Sequence, residues 1–382
     1  MTHTLSRAGS IALLAVASLT IMVGCVIVPG LPSIARQLGV EGAASWLVTV
    51  PSLGVIVLGP LAGRLIERLG LYRALCLGLL SYGLLGLVGF LLHGPVAVFA
   101  DRFLLGGSTA LVMAAGTGLI SAFYEGKARL NMIARQGMAI ELGGVLFLSL
   151  GGVLAGIGWQ WPFALYLSAW GFLAWVWVCV PRPDGDRPAA DNAGRENPVP
   201  AALKVVFACA VLSMIVFFTA IITLPLRLQG LGLDEAQVGY FLSFTSLVAV
   251  GAAAAMPRAA NGLGEWGALA LAFGCYALAH LAFAAAPGLA VMIVGAVCLG
   301  LGFGLSIPLV NHMTVEQSSV HQRGRHLAYL SMAIFAGQFL SSFMELIPGS
   351  QALVFGCAGG IAFGAAALLS VVRARGWVSL SA

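Results

Sequence analysis

Twelve times along the chain an apolar run of about twenty residues recurs. The runs lie near 11–32, 45–65, 74–93, 96–123, 130–157 and 161–180, and again near 203–228, 237–256, 267–286, 289–313, 327–348 and 351–372. A run of this length crosses the hydrocarbon core of a bilayer as one helix, and a helix satisfies its own backbone polar groups there. The predicted fold class is therefore all-α and integral to the membrane, with twelve transmembrane spans. Composition closes off the soluble alternatives: 60% of residues are hydrophobic, 9% are charged and the mean hydropathy is +1.00. So few charges cannot cover that much apolar surface in water, which excludes a soluble enzyme, a secreted domain and a disordered chain. The apolar run behind Arg7 extends to about Pro32 without a convincing cleavage site, so it reads as the first span rather than as a leader.

The spans fall into two sets of six. Between them, residues 181–202 hold five prolines (181, 183, 188, 198 and 200) and seven charges, which reads as a flexible linker. The predicted domains are a bundle over 1–180, the linker over 181–202 and a bundle over 203–382. The net charge of +5 matters through its placement and is no nucleic-acid signal. If the N-terminus is cytoplasmic, 16 of the 19 Lys and Arg residues fall on the cytoplasmic side and only Arg36 and Arg227 on the other, with Arg102 inside a span. That bias puts both termini and the linker in the cytoplasm of a cell whose inner (plasma) membrane holds the protein.

The two sets repeat one another. At a shift of 194 residues Leu69, Gly70, Ala74 and Leu75 meet Leu263, Gly264, Ala268 and Leu269, Gly106 meets Gly300, Met138-Ala139-Ile140 meets Met332-Ala333-Ile334, and Gly143 meets Gly337. At the first span the shift is 193, where Pro32 meets Pro225 and Leu38-Gly39 meets Leu231-Gly232. An even number of spans per copy keeps both copies in the same orientation, so they are parallel repeats, an arrangement that encloses a site between its halves near the midplane.

Between the second and third spans the chain reads Gly63-Arg64-Leu65-Ile66-Glu67-Arg68-Leu69-Gly70-Leu71-Tyr72-Arg73. With its glycines, acid and bases at that spacing it resembles motif A of the major facilitator superfamily, with Glu67 for the usual Asp. The resemblance covers nearly the whole chain and implies that family's twelve-helix fold. It implies a conformational latch formed by Gly63, Glu67, Arg68, Gly70 and Arg73, with Gly63 and Gly70 permitting a tight turn and Glu125 a candidate partner for the arginines; a simple positively charged turn is the alternative. The second copy has Asn261 where Glu67 would be. Asp101-Arg102-Phe103-Leu104-Leu105-Gly106 opens the fourth span, and Arg102 with Gly106 resembles motif B, whose arginine the family uses in proton coupling. Its counterpart is Ala296, so the charge is no shared packing feature, and a purely structural ion pair is the other reading. Because successive helix residues do not face each other, a partner for Arg102 is expected from a helix other than that of Asp101. Motif C of proton-driven drug antiporters is incomplete: Gly151-Gly152 is present, but Phe147-Leu148 stands where the Gly-Pro would be.

Glu141 lies on the fifth span about 16 Å from its cytoplasmic end, at the bilayer midplane. Burial there disfavours the ionised carboxylate, which suits a group that loads and releases a proton; a structural acid between helices is the alternative. Glu141, Arg102 and Asp101 are the proton-coupling candidates, and Gln338, Ser243, Ser246 and Thr49 are candidates for a substrate cavity, although Ser and Thr in membrane helices commonly bond their own backbone. Glu345 sits near the far end of the eleventh span, as a gate or as a wetted helix end. The seven cysteines lie singly in apolar runs and read as packing residues, and no metal or cofactor motif is present. The chain is thus expected to be a transporter and not an enzyme, working with a small-molecule substrate, protons and the bilayer, without nucleic acid and as a monomer. Proton-coupled efflux of a small organic molecule, as in the twelve-helix bacterial drug-efflux branch, leads. Uptake of a small, anionic metabolite that pairs with Arg102, and a non-transporting scaffold or sensor on the same fold, are the alternatives.

Overall fold

The computed structural model describes residues 5–183, 199–319 and 322–374, so most of the predicted linker lies outside the described residues. Among the described residues the chain is helical and without strands, and twelve helices are long and apolar enough to cross a membrane. In chain order the α-helices are α1 (Arg7–Cys25), α2 (Leu31–Leu38), α3 (Trp46–Leu69), α4 (Leu71–Val88), α5 (Pro95–Phe123), α6 (Gly126–Ile157), α7 (Ser168–Cys179), α8 (Ala201–Gly230), α9 (Glu235–Leu263), α10 (Glu265–Ala285), α11 (Leu289–Glu316), α12 (Arg323–Leu340) and α13 (Gln351–Ala374). Short 3-10 helices lead into α7 (Trp161–Leu167) and follow α12 (Ser341–Leu346). The lipid-facing side is legible on α6, where Met138, Leu142, Leu146, Leu150, Val153 and Ile157 form one exposed apolar stripe at three- and four-residue spacing.

The chain forms two compact units, Met1–Arg195 with Asp234–Tyr240, and Glu196–Leu233 with Phe241–Ala382. Each is assembled the same way. In the first, α1 packs on α6 and α4 on α5; in the second, α8 packs on α12 and α10 on α11. The closest approaches occur at paired glycines. A Cβ on Gly106 of α5 would collide with the carbonyl oxygen of Pro51 on α3, and a Cβ on Gly300 of α11 would lie 2.5 Å from that of Thr245 on α9. Gly143 on α6 abuts Ser18 of α1, and Gly337 on α12 abuts Val211 and Met214 of α8. Tyr82 of α4 donates to the Leu19 carbonyl at 2.7 Å, while its counterpart Tyr276 of α10 bonds the hydroxyl of Ser213 on α8 at 2.9 Å. Small residues let membrane helices meet backbone to backbone, which replaces the hydrophobic drive that lipid removes.

The repeats part at the first span. Its helix was expected to run to about residue 32, but α1 ends at Cys25 and α2 begins anew at Leu31, whereas the matching α8 runs unbroken to Gly230. Pro29-Gly30 explains the break: proline removes a donor and pushes the preceding residue out of helical geometry, and the second copy has Ile222-Thr223 there instead.

The packing predicts that Gly106→Ala costs about 1–3 kcal/mol of stability, because the facing atom is backbone and cannot swing away. Gly63→Ala, where an added Cβ meets open space on a helix, should instead gain up to about 1 kcal/mol. Melting temperatures of the two variants in detergent should move in opposite directions.

Candidate functional site

Each helix start places its own part of the first unit's polar interior. Pro95 begins α5, its missing N–H falling among donors that have no helical partner anyway. Asp101 and Arg102 follow two turns later, both buried, with Arg102 wholly enclosed. The Arg102 Nη1 donates to the Tyr166 hydroxyl at 3.1 Å, and that hydroxyl donates to the Val23 carbonyl of α1 at 3.0 Å. The guanidinium also lies over the rings of Phe163, at 5.1 Å, and Tyr166, at 5.7 Å, a favourable placement for a desolvated cation. The expected partner from another helix is therefore Tyr166, ahead of α7. Asp101 is nonetheless in range: its Oδ2 stands 3.9 Å from Arg102 Nε, an ion pair without a hydrogen bond. Arg102 Nε and Nη2 and Asp101 Oδ2 are buried without hydrogen-bond partners among the described residues. Gly86 and Gly89 make the room. A Cβ on Gly86 would collide with the Tyr166 ring, and one on Gly89 with Arg102 Nη2.

Glu141 falls at the middle of α6, half-buried, one step round the helix from the lipid-facing stripe. Its carboxylate makes no hydrogen bond or ion pair among the described residues, and it lies within electrostatic reach of Cys25 at the end of α1. Beyond it, Gly151 meets the Val26 carbonyl, and Gly152 meets Gly239 and the Glu235 carbonyl in the first turns of α9, where Ser33 donates to the Glu235 carboxylate at 2.5 Å. So the glycine pair of the incomplete motif C makes close backbone contacts although Phe147 and Leu148, both buried, replace the Gly-Pro.

The latch residues are spread along the end of α3. Gly70, at φ +83°, joins α3 to α4 with no residue between, and Gly264 does the same in the second unit at φ +74°; a positive φ favours glycine. Gly63 corrects the expectation: it sits inside α3 with open space around it, and the turn rests on Gly70 alone. Glu67, Arg68 and Arg73 are exposed, and the expected pairing of the arginines with Glu125 is not made. All four groups can reach water, where such a pair is worth about 0–1 kcal/mol at best.

The cavity candidates lie on α3, α9 and α12. Thr49 is buried and bonds the Ser45 carbonyl of its own helix at 3.2 Å. Ser243 and Gln338 are buried and Ser246 is half-buried. The second unit instead gathers hydroxyls that sequence reasoning passed over: Ser213 of α8, Tyr276 of α10 and Ser306 of α11 lie within 2.8–3.0 Å of one another. Also passed over were Tyr166 and the buried His280, whose Nε2 stands 3.0 Å from the Val216 carbonyl. The signal was present in the register of the repeat: carrying the shift of 194 into the third span sets Gly86 against His280 and Gly89 against Phe283.

A family model described as Major Facilitator Superfamily matches residues 11–342. Multidrug resistance protein 2 of Bacillus subtilis is 31% identical over 152 residues, which span 39% of this chain and 38% of that protein. Puromycin resistance protein pur8 of Streptomyces alboniger is 30% identical over 167 residues, 42% of this chain and 32% of that protein. The matched stretches thus span well under half of these relatives. Among solved structures, the nucleoside transporter NupG superposes with a TM-score of 0.75 at 11% identity, over 95% of this chain and 99% of that one. A D-xylose-proton symporter superposes with a TM-score of 0.71 at 17% identity, over 95% and 97%. At these identities the likeness is one of fold.

Removing only Arg102 would strand a buried carboxylate. Arg102→Ala should cost about 3–5 kcal/mol, and removing Asp101 as well should recover part of that loss. Melting curves of the single and double alanine variants test the order.

Proposed function

The chain belongs to the Major Facilitator Superfamily and is a multi-pass membrane transporter, not an enzyme, and we propose that it exports small organic molecules in exchange for protons. The observation that carries the export reading is the similarity to proteins named for multidrug and puromycin resistance. Proton exchange is supported by Glu141, a mid-helix acid on α6 with no partner among the described residues. An acid held in that way changes charge at small structural cost, since no ion pair has to be broken. The halves that alternate are the bundles over 1–180 and 203–382, joined by 181–202, with both termini in the cytoplasm, the inner membrane as location and the monomer as working unit. The latch at Gly70 with Glu67, Arg68 and Arg73 governs alternation; Gln338, Ser243, Ser246 and Thr49 belong to the substrate path.

Uptake of an anionic metabolite drew on Arg102 as its anion partner. That role suits Arg102 poorly, because its guanidinium is wholly enclosed and already engages Tyr166 and Phe163. Nothing in the fold favours a non-transporting scaffold.

Purified protein in proteoliposomes should move puromycin, a quinolone or ethidium against a gradient when protons flow the other way. Failure with all three, or movement indifferent to a protonophore, contradicts the proposal. Glu141→Gln keeps the shape and should abolish proton-driven accumulation while exchange of the same compounds down their own gradients survives; unchanged proton flux per substrate would make Glu141 structural. Glu67→Ala should lower turnover and leave equilibrium binding of the transported compound near wild type.

A further inference from the structure

The duplication supplies an internal control for the buried ionic cluster. In both halves one backbone carbonyl of the first helix receives a hydrogen bond from a ring. In the first unit the acceptor is Val23 of α1 and the donor is the Tyr166 hydroxyl. In the second the acceptor is Val216 of α8, which is Val23 shifted by 193, and the ring is His280 of α10. The rings come from opposite sides. Tyr166 fills the space over Gly86; His280 stands at the position of Gly86 and faces Gly359, where an added Cβ would lie 3.2 Å from its own. A second exchange lies beside it. Gly89 leaves room for Arg102, while its counterpart Phe283 fills that room against Gly295, the counterpart of Asp101, and packs its ring 5.4 Å from Phe355.

The ring-to-carbonyl bond is therefore what both halves build, and an apolar neighbourhood suffices for it. What only the first half adds is a second bond on the same hydroxyl, from Arg102, with Asp101 at 3.9 Å behind it. We infer that Tyr166 is a positioning residue that ties the charge state of the Asp101–Arg102 pair to the end of α1. A solvent proton taken up by the Asp101 carboxylate releases Arg102 Nε from its 3.9 Å ion pair and leaves the guanidinium with the Tyr166 hydroxyl, which it already contacts, as its one polar partner. That hydroxyl has one proton to give, and it holds Val23, three residues before the helix break at Val26–Gly30. The charged and titratable groups that face one another here are Asp101 and Arg102 on α5, Tyr166 ahead of α7, Tyr82 on α4 and Cys25 on α1, with Glu141 of α6 beyond Cys25. The inference gives the coupling reading above a route into α1 and rests on that reading for its purpose, but its test needs no substrate.

Backbone amide exchange over residues 19–30 is measured in detergent at about pH 6 and about pH 8, with exchange times scaled for the intrinsic rates. Wild type should show about a fivefold difference in protection between the two conditions, the scale of one hydrogen bond in a local opening equilibrium. Tyr166→Phe keeps the ring and should abolish the difference. Gly86→His with Tyr166→Gly rebuilds the second half's solution, restores a donor to Val23 and omits the link to Arg102; it should fold and also show no difference. His280→Phe removes the equivalent bond where no cation stands behind it, and residues 19–30 should keep the wild-type response. A wild type without any difference overturns the inference, as does a difference that persists in Tyr166→Phe or in the double variant. Loss of the response in His280→Phe would reduce Tyr166 to general packing. If the exchange pattern holds while the liposomes transport nothing, the export reading falls and the Tyr166 link stands; active liposomes with a flat exchange pattern give the reverse.

Discussion

Inside hydrocarbon a backbone N–H or C=O without a partner costs several kcal/mol, and no water is there to supply one. Every element in this chain follows from that. The spans are helices because helices satisfy themselves. They meet through glycines because lipid offers no hydrophobic drive for association, so contact has to come from close packing. Where the ladder is interrupted, a side chain answers: Tyr166 bonds the Val23 carbonyl just before the break in α1, and Tyr82 bonds Leu19 a turn earlier. The buried polar side chains of the first unit therefore serve the backbone first and become available for chemistry second.

That order separates what was legible in the sequence from what was not. Span number and glycine register depend on composition and spacing, which the chain carries openly. The shift that aligns Gly106 with Gly300 returns in the structure as two glycines pressed on the carbonyls of Pro51 and Thr245, themselves 194 apart. The break in α1 was also written there, in Pro29-Gly30 against Ile222-Thr223, but the stretch 21–32, with no polar residue in it, masked the stop. Gly63 failed for a different reason. A motif read as a turn assigns turn chemistry to each of its glycines, yet α3 continues through Gly63 and only Gly70 adopts a positive φ.

Side-chain partnerships in the candidate site were least legible. Tyr166 is 64 residues from Arg102 and 143 from Val23, and no local pattern announces a contact of that range. Conversely Asp101, dismissed because neighbours on a helix point apart, comes within 3.9 Å of Arg102 Nε, since a long side chain can fold back along its own helix. The exposed charges of the α3–α4 turn, by contrast, show no fixed partners among the described residues, as water-facing charges have little energetic reason to hold one geometry.

The exchange of rings between helices bears on how the two copies diverged. Going from a Gly86–Tyr166 arrangement to a His280–Gly359 one, in either direction, takes two substitutions. The intermediate holds either both rings in the space of one or neither. The crowded route forces backbones apart where they are packed at contact distance; the empty route leaves a carbonyl without its ring donor and a void beside it, a loss a marginally stable protein can survive for a time. Once a copy has crossed, single reversions are penalised from both ends. The halves have thus become descendants that can no longer stand in for one another, and a chain assembled from two copies of either half would carry two ionic clusters or none.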